Sequence, residues 1–597
     1  MVSRTPAHQE RVSRLSLAYF SIAALILGGT AAAWASFYGL PPVGWHQGQP
    51  FTTSLPWLSE LFEFGLDAAI NSQPLVGHLL NPMVGVDHFI QHLDQFRLIV
   101  PLAVRTGIIV TLAVTTAALS AVYAYRTLEP VDHLKHLKGR RLYRGRRAVK
   151  EARRAHRKSV RIHGRGIEIA PGAPISLETE TKHLMLVGAS GSGKTQITRT
   201  WIEQAHRRNV KAVIHDTKGD MTAGLPTEDF ILLAPHDARS WAWDTGADCR
   251  GLAAARELAA QLVPMGHEPL WPNGARSILT GLIRSLQITK GSTWFWPDLQ
   301  DAVFADPEAI LTRLENAGAE GARYLELDKD GIPTKTSFSF LVTLWSHAGT
   351  VVSPLAEAWR NTPDDRRVSL TEWLSEEDVP RALIFQRSAQ YAELSEAWIG
   401  AAVQMMANHV AGASYGDSAD RQIWMFLDEF AQLGELKGFN QFLEVGRSRG
   451  IRCVLGLQDL EQLTNIYGAE AQKTWLNTIE TKIICRMNGG PSARFIAEEL
   501  IGQRQVFWTE ETISKTKAGW FEDGFDKVNE SAQTHVELVP VLMPDDLERR
   551  IGAKKVAGVM VIRALLLSEG DVFELDWPIT HWPERRPGSE PADWTKD

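Results

Sequence analysis

Cysteine is scarce in this chain of 597 residues, which contains only three. Cys249, Cys453 and Cys485 lie far apart and form no Cys-x-x-Cys pair, so the pattern excludes a disulfide framework and a zinc-ribbon type of site. Apolar residues make up 44% and charged residues 22% of the chain, which is normal for a folded protein and excludes a disordered or fibrous class. We find no internal repeat.

Charged residues are absent from one long run and rare in another. Residues 15–38 and 98–125 are each long enough to span ~30 Å of bilayer, and we predict two transmembrane helices there; a cleaved signal peptide is the alternative for the first. The loop 39–97 contains Arg97 as its only Lys or Arg, whereas residues 1–14 contain three arginines. Because positive charge stays inside, we expect both termini in the cytoplasm and the loop outside.

A strongly basic stretch follows the second apolar run. From residue 126 to 165 there are fifteen Lys or Arg and three Asp or Glu, a net charge of +12 in a chain whose total is −7. The stretch has few apolar residues, so we predict a juxtamembrane linker. It would anchor on anionic lipid or contact nucleic acid, and the residues leave both alternatives open.

A glycine-rich motif follows the apolar residues 183–187 and precedes a predicted helix. It fits the P-loop pattern Gly-x4-Gly-Lys-Ser/Thr with Gly188, Ala189, Ser190, Gly191, Ser192, Gly193, Lys194 and Thr195. Glycines let the backbone N–H groups point at phosphate, and the helix N-terminus adds a favourable dipole. Lys194 would reach the β- and γ-phosphates and the Thr195 hydroxyl would bind Mg²⁺. We therefore predict ATP and Mg²⁺ as cofactors.

Short apolar runs alternate with helical patterns from residue 183 onward, which indicates a parallel sheet buried on both faces. The predicted strands are His183–Gly188, Lys211–Asp216, Phe230–Ala234, Arg381–Gln386, Ile423–Asp428, Ile451–Leu457, Lys482–Arg486 and Gly558–Ile562. The alternation stops between the third and fourth of these. We predict a nucleotide-binding domain in two parts, 166–247 and 376–584, an all-helical insertion at 248–375, and a disordered tail at 585–597.

Two carboxylates end the predicted strand at 423–428. Asp428 and Glu429 should lie at the carboxyl edge of the sheet, where ligands bind in α/β folds. Asp428 would hold Mg²⁺, and Glu429 would act as general base toward the attacking water. The alternative is an acidic strand end that caps a helix.

Other polar residues also end or precede strands. Gln458 follows the strand 451–457 and could sense the γ-phosphate through the attacking water. Arg447 lies in the loop before that strand and could reach into a neighbouring subunit's site, although a surface salt bridge is the ordinary role of a single arginine. Asp216 and Lys218 could support the metal or phosphate, or only pair with each other.

Together these motifs resemble the coupling proteins of type IV secretion and conjugation, the TraD-like and TrwB-like membrane-anchored DNA translocases. The motifs that carry the resemblance are Gly188–Thr195, Asp216–Asp220, Pro235–Ser240, Leu427–Gly434, Gly446–Gly450 and Gly456–Asp459. Ala234 stands where the family usually has Asn, Asp220 replaces a common Glu, and we expect no docking through a long C-terminal tail of the kind that some TraD-like members have. The implied fold class is α/β, a RecA-like P-loop NTPase domain with a parallel sheet, an inserted all-helical domain and two N-terminal transmembrane helices.

The resemblance implies a DNA-translocating ATPase in the bacterial inner membrane, with the bulk of the chain in the cytoplasm. It also implies a homohexameric ring, and single-stranded DNA, relaxase or relaxosome proteins and channel proteins as partners. Lys194, Glu429, Arg447 and Gln458 would then be the phosphate lysine, catalytic base, trans-acting arginine and γ-phosphate sensor. A receptor scaffold without motor activity and a chromosome-partition pump are the alternatives; the pump's usual winged helix is not evident. By position, the helical insertion is the predicted cargo receptor.

Overall fold

The computed structural model describes residues 135–266, 268–436, 439–516 and 527–596, together with residues 22, 26, 44–46, 49–51, 111 and 114–119. The chain divides into two units, residues 1–135 and 136–597. In the first unit, Gly44–His46 pairs antiparallel with Gln49–Phe51. The predicted spans 15–38 and 98–125 lie almost entirely outside the described residues. Within the described ranges, no helix combines the length and the apolar character needed to cross a bilayer.

A large mixed sheet of eleven strands forms the centre of the second unit. In chain order the strands are β1 (Leu142–Tyr143), β2 (Leu184–Val187), β3 (Lys211–Asp216), β4 (Phe230–Leu233), β5 (Ala382–Gln386), β6 (Ile423–Leu427), β7 (Ile451–Leu457), β8 (Thr481–Ile484), β9 (Gly552–Val556), β10 (Val559–Ser568) and β11 (Asp571–Pro578). The strand order is β1-β11-β10-β8-β2-β7-β6-β3-β5-β4, with β9 paired to β10.

The seven strands from β8 to β4 run parallel to one another. All seven coincide with predicted strands to within two residues at either end. The predicted parallel sheet is thus confirmed for these seven strands, but the predicted strand Gly558–Ile562 lies largely in β10, which joins β8 antiparallel and pairs antiparallel with both β9 and β11. Since β9 to β11 follow each other through short connections, they can pair as hairpins without a crossover helix.

Alternate residues of the parallel strands belong to two separate hydrophobic cores. In β6, Met425 packs in the core that also contains the helical insertion, and Phe426 packs in the core on the opposite face. In β2, Met185 and Leu186 divide in the same way. Burial on both faces explains why these strands are continuous apolar runs.

The insertion between β4 and β5 is largely helical. Its helices are Thr245–Asp248, Gly251–Leu262, Leu270–Lys290, Trp296–Val303, Pro307–Asn316, Glu320–Tyr324, Lys335–Leu344, Trp345–Gly349, Thr350–Trp359, Asp364–Arg366 and Leu370–Ser375. It differs from the predicted all-helical domain by one short strand, Arg367–Val368, which pairs parallel with Ala242–Trp243. These two strands bring together the beginning and the end of the insertion. Strand pairing is therefore found at a place where the prediction had only helical structure.

Further helices cover the sheet and connect its strands. They are Gly145–His163, Leu177–Thr181, α1 (Lys194–Arg207), Asp220–Gly224, α2 (Ala392–Ala411), Ala413–Tyr415, Phe430–Leu433, Phe439–Gly446, Glu461–Tyr467, Ala469–Thr478, Pro491–Phe495, Ile496–Ile501, Pro544–Arg549 and Asp593–Thr595. Smaller sheets pair Arg165–Ala170 with Ala173–Ser176 and Gln503–Thr516 with Lys527–Pro540.

The basic stretch 126–165 is more than the linker predicted for it. From residue 135 it contains a strand at Lys135–Gly139, then β1, and then the helix Gly145–His163. Ala148, Ala152 and His156 are fully buried at a spacing of four residues. The helix therefore packs through a narrow face of small side chains, which a search for large apolar residues does not detect.

The prediction of a disordered tail at 585–597 is also wrong for the residues described, 585–596. The amide of Arg585 donates a hydrogen bond to the carbonyl oxygen of Ala223 at 2.9 Å. The amide of Ala592 donates one to the carbonyl oxygen of His236, also at 2.9 Å. The indole of Trp594 donates to the carbonyl oxygen of Pro235 at 2.6 Å. Proline and charge prevent regular structure here, but backbone and indole donors still order the segment against the carboxyl edge of the sheet.

Candidate functional site

The P-loop connects β2 to α1 at the carboxyl edge of the sheet. Its first amide, of Gly188, donates to the carbonyl oxygen of Leu457 at the end of β7, at 3.1 Å. Gly193 has φ 99°, a conformation that favours glycine, and a Cβ there would lie 2.7 Å from the Ile562 side chain. The loop therefore requires glycine at this position for backbone geometry and for packing.

Lys194 is the first residue of α1 and is almost fully buried. Its ammonium group donates to the carbonyl oxygen of Gly188 at 2.6 Å and lies 3.9 Å from a carboxylate oxygen of Glu429. The positive charge therefore lies between the loop and the acidic end of β6, where it can bind an anion held by the loop amides.

Asp428 follows β6 and faces the start of α1. Its Oδ2 accepts a hydrogen bond from the Thr195 hydroxyl at 3.2 Å, while Oδ1 is buried and has no hydrogen-bond partner among the described residues. Burial raises the pKa of Asp428 to about 6, and the neighbouring Glu429 carboxylate adds to this effect. A buried carboxylate oxygen without a donor, beside a hydroxyl, is a set of hard oxygen ligands that fits Mg²⁺.

Glu429 has a left-handed backbone, with φ 54°, although it is not a glycine. Such a conformation costs on the order of 1 kcal/mol and is often found at functional sites. Its Oε2 accepts a hydrogen bond of 2.8 Å from the side-chain amide of Gln458, which follows β7. The structure thus brings together Lys194, Thr195, Asp428, Glu429 and Gln458.

His215 near the end of β3 belongs to this site, although sequence reasoning did not select it. Its Nδ1 lies 2.6 Å from the carbonyl oxygen of Asp428. Burial lowers the pKa of His215 to about 4, so the ring is neutral near pH 7 and Nδ1 carries the proton that it donates. The imidazole holds the Asp428–Glu429 turn. The signal available in the sequence was a polar residue in the next-to-last position of a buried strand.

Gly456 in β7 begins one of the motifs that carry the resemblance, but sequence reasoning gave it no role. A Cβ at this position would lie 2.8 Å from Oδ1 of Asp428 and 3.2 Å from its Cα. Two parallel strands pair here, and glycine allows the Asp428 carboxylate to lie over the neighbouring strand. A glycine inside a buried strand indicates such a close approach.

Arg447 lies away from the site of its own chain. It precedes β7 and therefore belongs to the amino edge of the sheet, whereas the P-loop is at the carboxyl edge; β7 has seven residues, which at roughly 3.3 Å each separate the edges by about 20 Å. The Arg447 guanidinium is 3.4 Å from Glu178, and its side chain is 52% exposed. Its predicted role in a neighbouring subunit's site stays a prediction.

Asp216 organises its own loop. Its carboxylate accepts hydrogen bonds from the amide of Gly219 at 2.9 Å and from the amide and hydroxyl of Thr222 at 2.7 and 2.8 Å. Lys218 is exposed and makes no ion pair with Asp216 among the described contacts. Asp220 accepts a hydrogen bond from Arg199 of α1 at 2.8 Å, which connects this loop to the P-loop helix. Asp216 accepts a hydrogen bond from the backbone amide of Lys218 at 3.2 Å, and a supporting role of Asp216 or Lys218 toward metal or phosphate stays a prediction.

A known protein family matches the part of the chain that contains this site. The profile of the type IV secretion-system coupling protein DNA-binding domain matches residues 167–564. This chain belongs to that family. The match confirms the resemblance stated from the motifs, and it covers the helical insertion and most of the two predicted parts 166–247 and 376–584.

Relatives of known name support the assignment. The coupling protein TraD of Escherichia coli (strain K12) is 24% identical over 353 residues, which cover 57% of this chain and 46% of that protein. The chain thus spans about half the length of this curated relative. The plasmid coupling protein TrwB in complex with ADP and Mg²⁺ has 19% identity and a TM-score of 0.59, covering 77% of this chain and 98% of that chain. Unbound TrwBdeltaN70 has a TM-score of 0.58, with 19% identity over 76% and 96% of the two chains. These likenesses confirm the α/β RecA-like fold.

Proposed function

We propose that this chain is the ATPase that couples the relaxosome to a type IV secretion channel. It hydrolyses ATP to pass single-stranded DNA, with its attached relaxase, through the channel during conjugation. The observation that supports this proposal is the convergence of Lys194, Asp428 and Glu429 at one edge of the sheet, in a member of the coupling-protein family. Lys194 and the loop serve to bind a nucleotide. The Glu429 carboxylate beside them is the group that hydrolysis requires, so its position favours an ATPase over a protein that only binds ATP.

Each residue of the site has a separate task. The loop amides and Lys194 bind the phosphates, and Thr195 with Asp428 would hold Mg²⁺, which neutralises phosphate charge when bound. Glu429 accepts a proton from the attacking water, and the hydrogen bond from Gln458 orients its carboxylate. The neutral ring of His215 keeps the Asp428–Glu429 turn in place.

An arginine from a neighbouring subunit would complete the proposed site. Phosphoryl transfer is commonly accelerated by an arginine from a neighbouring subunit, and Arg447 is half-exposed at the opposite edge of the sheet. An arginine at one edge and a phosphate site at the other match a head-to-tail ring, in which each copy completes the next. We propose a homohexamer.

The remaining assignments follow the domain boundaries. Residues 15–38 and 98–125 would cross the inner membrane, which leaves the nucleotide-binding parts 166–247 and 376–584 in the cytoplasm. The helical insertion 248–375 would receive the relaxase or other relaxosome proteins. Deletion of the insertion should leave ATP binding intact and remove relaxase recruitment.

The test of the function is DNA-stimulated ATP hydrolysis by the full-length protein in detergent. We expect Glu429→Gln to bind a fluorescent ATP analogue normally and to lower kcat by about 10²- to 10⁴-fold. Glu470→Gln is the matched control, because it removes the same charge from a side chain that is 91% exposed on another helix. A wild-type protein that binds ATP without turnover in the presence of DNA would establish the receptor scaffold instead.

A further inference from the structure

The tail and the sheet edge enclose a cavity of about 260 Å³, which we name the edge cavity. Its walls come from the loops after β3, β4 and β5 and from the tail, and include Lys218, His236, Arg387, Tyr391 and Ser589. The loops after β3 and β5 lie three and four strands from β2, or roughly 14–19 Å at 4.7–4.9 Å per strand. The edge cavity therefore lies away from the P-loop itself, on the part of the sheet edge that begins beside His215.

The charge of the edge cavity is of one sign. Lys218 and Arg387 both line it, and none of the described lining residues is Asp or Glu. Two larger cavities among the described residues, of about 410 and 530 Å³, both have glutamate in their lining. In a chain with a net charge of −7, an acid-free cavity with two cations selects anionic ligands.

In the part of the chain that the structure describes, the two cations act on carboxylates from a distance, Arg387 on Glu396 and Lys218 on Asp220. Among the contacts of the described residues, neither Lys218 nor Arg387 has a carboxylate within 4.0 Å, and the buried Nε of Arg387 has no acceptor. By contrast, Arg239 close by is paired with Asp237 at 2.6 Å. An unpaired guanidinium of this kind retains its full capacity for a phosphate.

Hydroxyl and aromatic groups complete the lining. Thr217, Ser388 and Ser589 offer hydroxyl donors. The ring of Tyr391 lies 5.0 Å from that of Trp594, whose indole is anchored by its hydrogen bond to Pro235. Cations beside a fixed aromatic ring are what single-strand binding proteins use, because every base has a face that stacks and every nucleotide has a phosphate.

We propose that the edge cavity binds one nucleotide unit of single-stranded DNA, with Lys218 and Arg387 at the phosphate and Tyr391 against the base. The proposal rests on the proposed function, since it assigns the DNA of that function to named residues. A free nucleotide has the same chemistry of base and phosphate, and the experiment below separates the two sources.

The test measures binding of a fluorescein-labelled oligothymidylate to the full-length protein over a series of salt concentrations. Each phosphate contact contributes about 0.7 to the slope of log affinity against log salt for a single strand. Because both cations face the single phosphate of this nucleotide unit, we expect the double variant Lys218→Gln/Arg387→Gln to lower the slope by about 0.7 relative to wild type. Tyr391→Leu should weaken binding by about 5- to 150-fold, while Tyr391→Phe should retain it.

The control is Arg250→Gln/Lys473→Gln, which removes the same charge from side chains that are 62% and 63% exposed and have their own carboxylate partners. Equal slopes for the cavity variant and this control would overturn the proposal while leaving the proposed function intact. Loss of affinity for a fluorescent ATP analogue but not for DNA would assign the cavity to a free nucleotide. Equal competition by polyglutamate and unlabelled oligothymidylate would assign it to an acidic protein. A wild type that binds no DNA would overturn both proposals.

Discussion

Buried charged groups differ in their partners between the two edges of the central sheet. At the carboxyl edge, one oxygen of Asp428 has no partner among the described residues and Glu429 adopts a left-handed backbone. At the amino edge, the fully buried Glu180 accepts hydrogen bonds from Arg208 at 2.6 Å and from Arg452 at 2.8 Å. The carboxyl edge therefore keeps polar groups that can bind a ligand. At the amino edge, the buried charges are paired with one another and stabilise the fold.

The arginines around the start of β7 show the same division within a few residues. Arg452 is 1% exposed and bound to Glu180. Arg449 donates to the carbonyl oxygens of Val410 and Gly412. Arg447 alone of the three is half-exposed, with a long contact to Glu178. Of these three arginines, Arg447 is the one available to another molecule, and it is the one that the motif predicted to act in trans.

Replacement of Arg447 should give the largest effect and would sharpen the comparison. We expect Arg447→Ala to lower ATP turnover by about 10³- to 10⁵-fold without a change in melting temperature, because the side chain supports no buried contact. Mixing Arg447→Ala with Glu429→Gln subunits should restore part of the turnover, since some interfaces then combine an intact Glu429 with an intact Arg447. No recovery in the mixture would contradict a role in trans.

Replacement of Glu180 should affect the fold alone. Glu180→Gln leaves two arginines without their buried counter-charge, and we expect the free energy of unfolding to fall by about 3–5 kcal/mol, measured by denaturant titration. The remaining folded fraction should keep its kcat. The control is Glu480→Gln, which breaks a partly exposed pair with Lys182 and should cost less than about 1 kcal/mol. Similar losses of unfolding free energy for both variants would show that the buried Glu180 cluster stabilises the fold no more than a partly exposed ion pair does.

Replacement of Gly456 tests how closely β7 packs against the Asp428 carboxylate at the carboxyl edge of the sheet. We expect Gly456→Ala to displace the Asp428 carboxylate, since the new Cβ would lie 2.8 Å from Oδ1, and to lower kcat by about 10²-fold. Gly489→Ala is the matched control, because its Cβ would have a flexible glutamate oxygen at 3.8 Å as its nearest neighbour. Normal turnover of Gly456→Ala would show that the position of Asp428 tolerates a shift.

The smallest predicted effect concerns pH and the amino edge. His183 is fully buried between the carbonyl oxygen of Leu443 and the amide of Cys453, and burial lowers its pKa from 6.5 to about 4. The unfolded state therefore binds the proton more tightly, so stability falls as the pH drops from 6.5 toward 4. We expect a loss of about 2 kcal/mol at pH 5 from this residue, which His183→Asn should remove. An unchanged pH slope in urea titrations of the variant would contradict this.

Local patterns predicted much of the fold and the site. The seven parallel strands are continuous apolar runs because both of their faces are buried, and Lys194, Thr195, Asp428 and Glu429 lie in motifs whose spacing depends only on the adjacent strand and helix. The docked tail, the antiparallel strands and the helix at 145–163 depend on distant partners. Local composition does not show which distant partner each of them packs against, so they were predicted wrongly or incompletely.

By itself, the sequence determined which strands are buried and which polar side chains stand at their ends, because strand burial and strand direction follow from local composition. Only the tertiary structure decided which of those side chains meet. His215 and Gly456 belong to the site through neighbouring strands, and Lys218, Arg387 and Tyr391 share a cavity with the tail. Contacts between residues far apart in the chain depend on strand order, and strand order is set by the packing of the whole sheet.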